Sequence, residues 1–241
     1  MIIVITGATR GIGREFCIQY LDDGHTVVAA CRHPHKLDIT SKNGTLIPIT
    51  LDVSSDASVA RFKSSLASKV NHVDLLINNA GISLNKNDCA GSFDFDAWNT
   101  TLNTNLLGAM RVSDACLDLL MSVQNFKIVN ISSKIGTVHG FSWNKMLSRP
   151  TKPYYRSARA ALNMSTVCYA NDVKYKNADA CIIVMCPGVV KTEMTSDSDL
   201  THVPDLLKPR DSVHGMKIVI QNLQPQDTAK FFNWKGEIVP W

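Results

Sequence analysis

The chain of 241 residues has no apolar run approaching the roughly 20 residues a membrane-spanning helix needs, which argues against a membrane partner. It also lacks any stripe of like charge. Its 25 Lys and Arg and 21 Asp and Glu leave a net +4 spread along the chain, so no nucleic-acid partner is expected. Seven cysteines (Cys17, Cys31, Cys89, Cys116, Cys168, Cys181 and Cys186) are odd in number and contain no Cys-x-x-Cys. Neither a disulfide frame nor a zinc site is indicated; small core residues in a reducing, cytoplasmic setting are expected. His33 and His35 flank Pro34 and read as a solvated loop rather than a metal pair, so no metal site is expected. No repeat, low-complexity tract or linker divides the sequence, so 1–241 reads as one domain. An apolar strand beginning at residue 2 leaves no room for a signal peptide, and none is expected.

What is present is an alternation of buried strands and helices. Ile2-Ile3-Val4-Ile5 is a mostly β-branched run suited to a strand covered on both faces. It breaks at Thr6-Gly7-Ala8-Thr9-Arg10-Gly11-Ile12-Gly13, and a helix follows to Gly24. Strand, glycine-rich turn and helix together present a helix N-terminus to a pyrophosphate. Gly7 allows the sharp turn, Gly11 close approach of backbone to phosphate, and Gly13 tight seating of the helix on the sheet. Strands are further expected at 26–31, 45–50, 73–77, 127–131 and 181–186, with helices at 56–70, 96–122, 154–173 and 212–223 and an edge strand from 231–232 or 237–241. The pattern predicts an α/β fold with a doubly wound, mostly parallel sheet of about seven strands and helices on both faces.

Several residues stand where chemistry is expected. Arg32 follows the second strand, about 20 residues past the turn, where a carboxylate would bind an adenosine ribose 2′-hydroxyl. An acid there would repel a 2′-phosphate, whereas a guanidinium pairs with it. Arg10, within the turn, can reach the same phosphate, so NADP(H) is expected rather than NAD(H). Asp52, before Val53, either contacts an adenine or caps the next helix. Asn78-Asn79-Ala80-Gly81 lets backbone pass close under a ligand, or is simply a good turn. Asn105, in an apolar helix segment, needs partners and is a structural bridge or a catalytic group. The segment 134–153, with Phe141, Trp143, Met146 and Leu147, is expected to wall a substrate pocket, and the polar span 193–210 to form a flap. Tyr155 and Arg159 share one helix face.

Taken together, Thr6-Gly7-x-x-x-Gly11-x-Gly13, Asn78-Asn79-Ala80-Gly81, Asn105, Ser133, Tyr155-x-x-x-Arg159 and Pro187-Gly188-x-Val190-x-Thr192 resemble the short-chain dehydrogenase/reductase family. The ending, Ala229-Lys230-Phe231-Phe232 to Pro240-Trp241, is similar to the C-factor and sniffer-like carbonyl reductases within it. The resemblance implies a Rossmann-type domain that acts on a small carbonyl or alcohol substrate and assembles as a homodimer or homotetramer through its two long helices. It implies coenzyme contacts from Gly7, Thr9, Arg10, Gly11, Ile12, Gly13, Arg32, Asp52, Val53, Asn79, Ala80, Gly81, Tyr155, Arg159, Pro187, Gly188, Val190 and Thr192. Ser133, the second serine of its pair, would hydrogen-bond the substrate oxygen, Tyr155 rather than Tyr154 would exchange the proton, and Asn105 would hold a water of the proton relay. The departure is Arg159, where the family has lysine. An arginine keeps the charge but is bulkier and does not release its proton, so turnover is expected to suffer more than coenzyme binding.

Overall fold

The computed structural model describes residues 1–84, 90–139, 152–196 and 206–241. Seven strands form one sheet: β1 (Ile2–Thr6), β2 (Thr26–Cys31), β3 (Thr45–Thr50), β4 (Leu75–Asn78), β5 (Lys127–Ile131), β6 (Cys181–Cys186) and β7 (Phe231–Asn233). Their order is β3-β2-β1-β4-β5-β6-β7 and every ladder is parallel. Pro48 sits in β3, an edge strand, where a missing N–H is tolerated. The chain winds outward in both directions from β1 and β4. The carboxyl ends of those two strands therefore flank the crevice where such sheets bind ligands.

Alternate strand residues feed two cores, as a period of two requires. Val4, Val28, Leu76, Ile128 and Ile182 pack on one face with α2 (Asp56–Ala67), α4 (Gly108–Met121) and α5 (Pro153–Lys174). Ile3, Ile5, Val27, Ile77, Val129 and Ile183 pack on the other with α1 (Gly11–Asp22) and α6 (Pro209–Asn222). Cys17, Cys31, Cys116, Cys181 and Cys186 are buried and Cys168 is exposed. Among the described residues, no helix is long and apolar enough to cross a membrane.

The helix expected over 96–122 is interrupted. α3 (Phe95–Leu102) leads into a π-helical turn, Asn103–Leu107, before α4 resumes. Asp94 caps α3, its Oδ1 accepting from the Ala97 N–H at 2.9 Å. The wider turn centres on Asn105, in keeping with the concentration of such turns at functional sites. The fourth strand begins two residues later than the apolar run, at Leu75, and includes buried Asn78, whose Nδ2 donates to Asn130 Oδ1 at 2.8 Å and Ser113 Oγ at 3.0 Å while its Oδ1 has no hydrogen-bond partner among the described residues. Of the pocket wall expected at 134–153, residues 140–151 lie outside the described residues, as do 197–205 of the expected flap, and Cys89.

Candidate active site

The glycine turn is built as its spacing requires. Gly7 (φ +69°) and Gly11 (φ +53°) are left-handed, a region that favours glycine. A Cβ on Gly13 would collide with the Gly7 carbonyl oxygen. Thr6 and Asn79 stitch the crevice walls together. Thr6 Oγ1 accepts from the N–H groups of Asn79 and Ala80, both at 3.0 Å, and Asn79 Nδ2 donates to the Thr6 carbonyl at 2.9 Å. Thr9 lies in the turn, while Ile12 enters α1 and packs on the adjacent core. No side chain caps α1 and no acid stands in its first turn, which suits a phosphate at that terminus.

Of the adenosine-side residues, Arg32 is exposed just past β2 and helps to hold the Asp52 carboxyl below the usual carboxylate range. The larger cause is the Ser54 hydroxyl, which donates to Asp52 Oδ1 at 2.6 Å. Asp52 does not cap the next helix. Ser55 does, its Oγ accepting from the Ser58 N–H at 3.3 Å, while Asp52 closes the turn before it. Val53 is buried against Gly108, where a Cβ would lie 2.7 Å from Val53 Cγ2. Arg10 reaches across the crevice to an ion pair with Glu193.

The tyrosine pair divides cleanly. Tyr154 is fully buried among Phe93 and Trp98, and its hydroxyl accepts from the Asp94 N–H at 2.5 Å. Tyr155, one helical step on, is half-buried, with the Arg159 guanidinium carbon 4.9 Å from its ring centre. Arg159 is only 4% exposed. Its Nη1 donates to the Ile131 carbonyl at 3.0 Å, and its buried Nε has no hydrogen-bond partner among the described residues. The guanidinium fits because Gly81 has no side chain, since a Cβ there would lie 2.6 Å from Nη2 and 3.2 Å from Asn105 Oδ1. Asn105 spends both ends of its amide on Ile82, accepting from its N–H and donating to its carbonyl, each at 2.8 Å. The side chain thus secures the segment after β4, bridging it to the π turn.

The serine pair also separates. Ser132 is buried and donates to Asn163 Oδ1 at 2.6 Å; Ser133 is half-buried and its Oγ accepts a 3.4 Å bond from the Ile135 N–H. On α5, Arg159, Asn163 and Thr166 all meet the sheet, through Ile131, Ser132 and Asn130 respectively. Gly136 lets the turn after β5 press on that helix, for a Cβ there would be 2.6 Å from Arg159 Cβ. Sequence reasoning missed Asn163, Thr166 and Gly136, although the polar residues at 159, 163 and 166 share a helical face that could have flagged them. After β6, Gly188 is left-handed (φ +80°), the Pro187 carbonyl accepts from Ser212 Oγ at 2.7 Å, and Val190 is buried. Thr192 faces the glycine turn, with its Cγ2 placed 3.4 Å from where a Gly11 Cβ would be.

The carboxyl end of the sheet therefore carries an uncapped helix terminus at α1, the buried Arg159 guanidinium with the half-buried Tyr155 phenol against it, and the half-buried Ser133 hydroxyl just after β5. A coenzyme with a diphosphate and a ribose fits this donor set. Comparison with known proteins agrees. The family model described as short chain dehydrogenase matches residues 1–202. The C-signal protein of Myxococcus xanthus is 32% identical over 171 residues, covering 70% of this chain and 93% of that protein. The NADPH-bound carbonyl reductase from chicken fatty liver superposes with a TM-score of 0.85 at 28% identity, covering 99% of this chain and 98% of that one. The carbonyl reductase Sniffer of D. melanogaster gives a TM-score of 0.80 at 24% identity over 99% and 98% of the two chains. With the sheet order, the glycine turn and the tyrosine helix all in accord, the chain belongs to the short-chain dehydrogenase/reductase family.

Proposed function

We propose that the protein is an NADP(H)-dependent reductase of small aldehydes or ketones. The observation that carries this reading is the half-buried Tyr155 with the buried Arg159 cation against its ring. Bound in the crevice, the coenzyme supplies hydride to a carbonyl carbon. The turn at Gly7–Gly13 and the α1 terminus would hold its diphosphate, Arg10 and Arg32 its 2′-phosphate, Asp52 and Val53 its adenine side, and Asn79, Ala80, Gly81, Pro187, Gly188, Val190 and Thr192 its nicotinamide side. Arg159 would hold the ribose through its guanidinium. Ser133 donates a hydrogen bond to the substrate oxygen as negative charge gathers there. Tyr155 gives that oxygen its proton, and the Arg159 charge stabilises the phenolate left behind. Asn105 holds Ile82 and the floor below the guanidinium, and would hold a water of the proton relay. The likeness to the NADPH-bound chicken enzyme, at 28% identity, supports the choice of coenzyme. Leu107 and Met164, both exposed on the helices that the family pairs between subunits, support a homodimer or homotetramer.

Following NADPH absorbance with a panel of aldehydes, ketones and diketones tests the reading; consumption with at least one is expected. A second reading, a coenzyme-binding sensor with feeble chemistry, is favoured by Arg159 alone, and NADPH binding without consumption across the panel would establish it. The two also part on one substitution. Arg159→Lys is expected to raise the reduction rate several-fold with little change in NADPH affinity. An ammonium can release and regain its proton, and it keeps a positive charge beside Tyr155. A lysine variant no faster than the parent would mean that the arginine is already suited to its task.

A further inference from the structure

Arg10, which the proposed function assigns to the coenzyme 2′-phosphate, is not waiting for it. Its guanidinium is paired with the Glu193 carboxylate, although 183 residues separate the two. Glu193 is held there by a defined backbone. It opens the turn Glu193–Thr195, in which the Thr192 N–H donates to Thr195 Oγ1 at 3.0 Å and that hydroxyl donates to the Val190 carbonyl at 2.9 Å. Thr192, its neighbour, abuts Gly11. The segment after β6 therefore places a carboxylate over the glycine turn, on the one cationic side chain of that turn.

We propose that Glu193 is a coenzyme-specificity residue that competes with the 2′-phosphate for Arg10, an inference that rests on the reading of Arg10 given above. A phosphate dianion binding the guanidinium shares its charge and donors with the carboxylate, or displaces it, and in either case faces a like charge held close by. A coenzyme without that phosphate leaves the pair intact. Glu193 thus acts mainly against the coenzyme that carries the 2′-phosphate and narrows its advantage. Both side chains are about two-thirds exposed, so the effect is limited to what surface ion pairs deliver.

The test is direct titration of the full chain with NADPH and with NADH, read by tryptophan quenching, for the parent, Glu193→Gln, Arg10→Ala and the double variant. Glu193→Gln is expected to tighten NADPH by about two- to fivefold and leave NADH unchanged. The gain should shrink at high salt and vanish in the Arg10→Ala background. If Arg10→Ala lowers NADPH affinity relative to NADH but Glu193→Gln leaves NADPH unchanged, weakens it, or shifts both coenzymes equally, the competition is overturned and the phosphate role of Arg10 stands. If Arg10→Ala leaves the NADPH-to-NADH ratio as it was, the phosphate reading of Arg10 fails and the competition fails with it. A gain that persists without Arg10 also overturns the proposal, since the carboxylate would then be acting on something else.

Discussion

Replacing Tyr155 with phenylalanine is expected to reduce carbonyl reduction by about 10²- to 10⁴-fold, the range for removing a positioned general acid. NADPH binding should change little, because the ring, its contact with Arg159 and the helix that carries both persist. Tyr154→Phe is expected to do the reverse. The Tyr154 hydroxyl accepts from the Asp94 N–H in a partly buried bond beside Phe93 and Trp98, and its loss leaves that donor short of a protein partner at the start of α3. About 1–3 kcal/mol of stability should go, with turnover at moderate temperature largely kept. Steady-state rates and thermal melts of the two variants give a crossed pattern. Equal loss of rate in both would mean that the helix, not one phenol, matters; full activity in Tyr155→Phe would remove the proton donor from the proposed mechanism.

The two tyrosines also show how far sequence alone reaches. Spacing puts Tyr155, not Tyr154, on one helical face with Arg159, and the choice of Tyr155 as the acid comes from the resemblance to the family signature. Spacing also marks Gly7, Gly11 and Gly13, whose roles follow from local backbone demands. Features set by tertiary partners were not legible. Asp52 offered two plausible roles, and only the position of Ser55 shows that the helix cap is elsewhere. Asn105 was visible as a buried amide, yet its partner, Ile82, is 23 residues away in a segment with no pattern of its own. The π turn around Asn105 leaves the apolar spacing nearly intact, so 96–122 reads as one uninterrupted helix. The tie from Ser132 to Asn163 joins a strand end to a helix, and nothing in either stretch names the other. Glu193 is plainest of all, since its pairing with Arg10 depends on the sheet bringing the loops after β1 and β6 to the same edge.

Within the glycine turn, equal substitutions should have unequal consequences. Gly13→Ala is expected to damage the fold itself. The added methyl would strike the Gly7 carbonyl and lie 2.5 Å from Asn79 Nδ2, the amide that binds β1 to the end of β4, so backbone has to move on both sides of the crevice. Overpacking of this kind costs about 1–3 kcal/mol, more where backbone cannot yield, and the coenzyme cradle goes with it. Gly11→Ala meets only Thr192, at an ordinary 3.4 Å, and carries instead the penalty of a left-handed alanine, about 1–2 kcal/mol. Its methyl, however, stands in the gap between the turn and Thr192, which the diphosphate is proposed to enter. Thermal melts paired with NADPH titration separate the two effects. Gly13→Ala should lose stability and binding together, and Gly11→Ala should lose binding by a larger factor than its melting temperature alone would suggest. If Gly11→Ala binds NADPH as the parent does, the phosphates approach some other part of the α1 terminus and the close-approach role of Gly11 is wrong. If Gly13→Ala melts like the parent, helix and strand have more room between them than the Gly7 carbonyl allows.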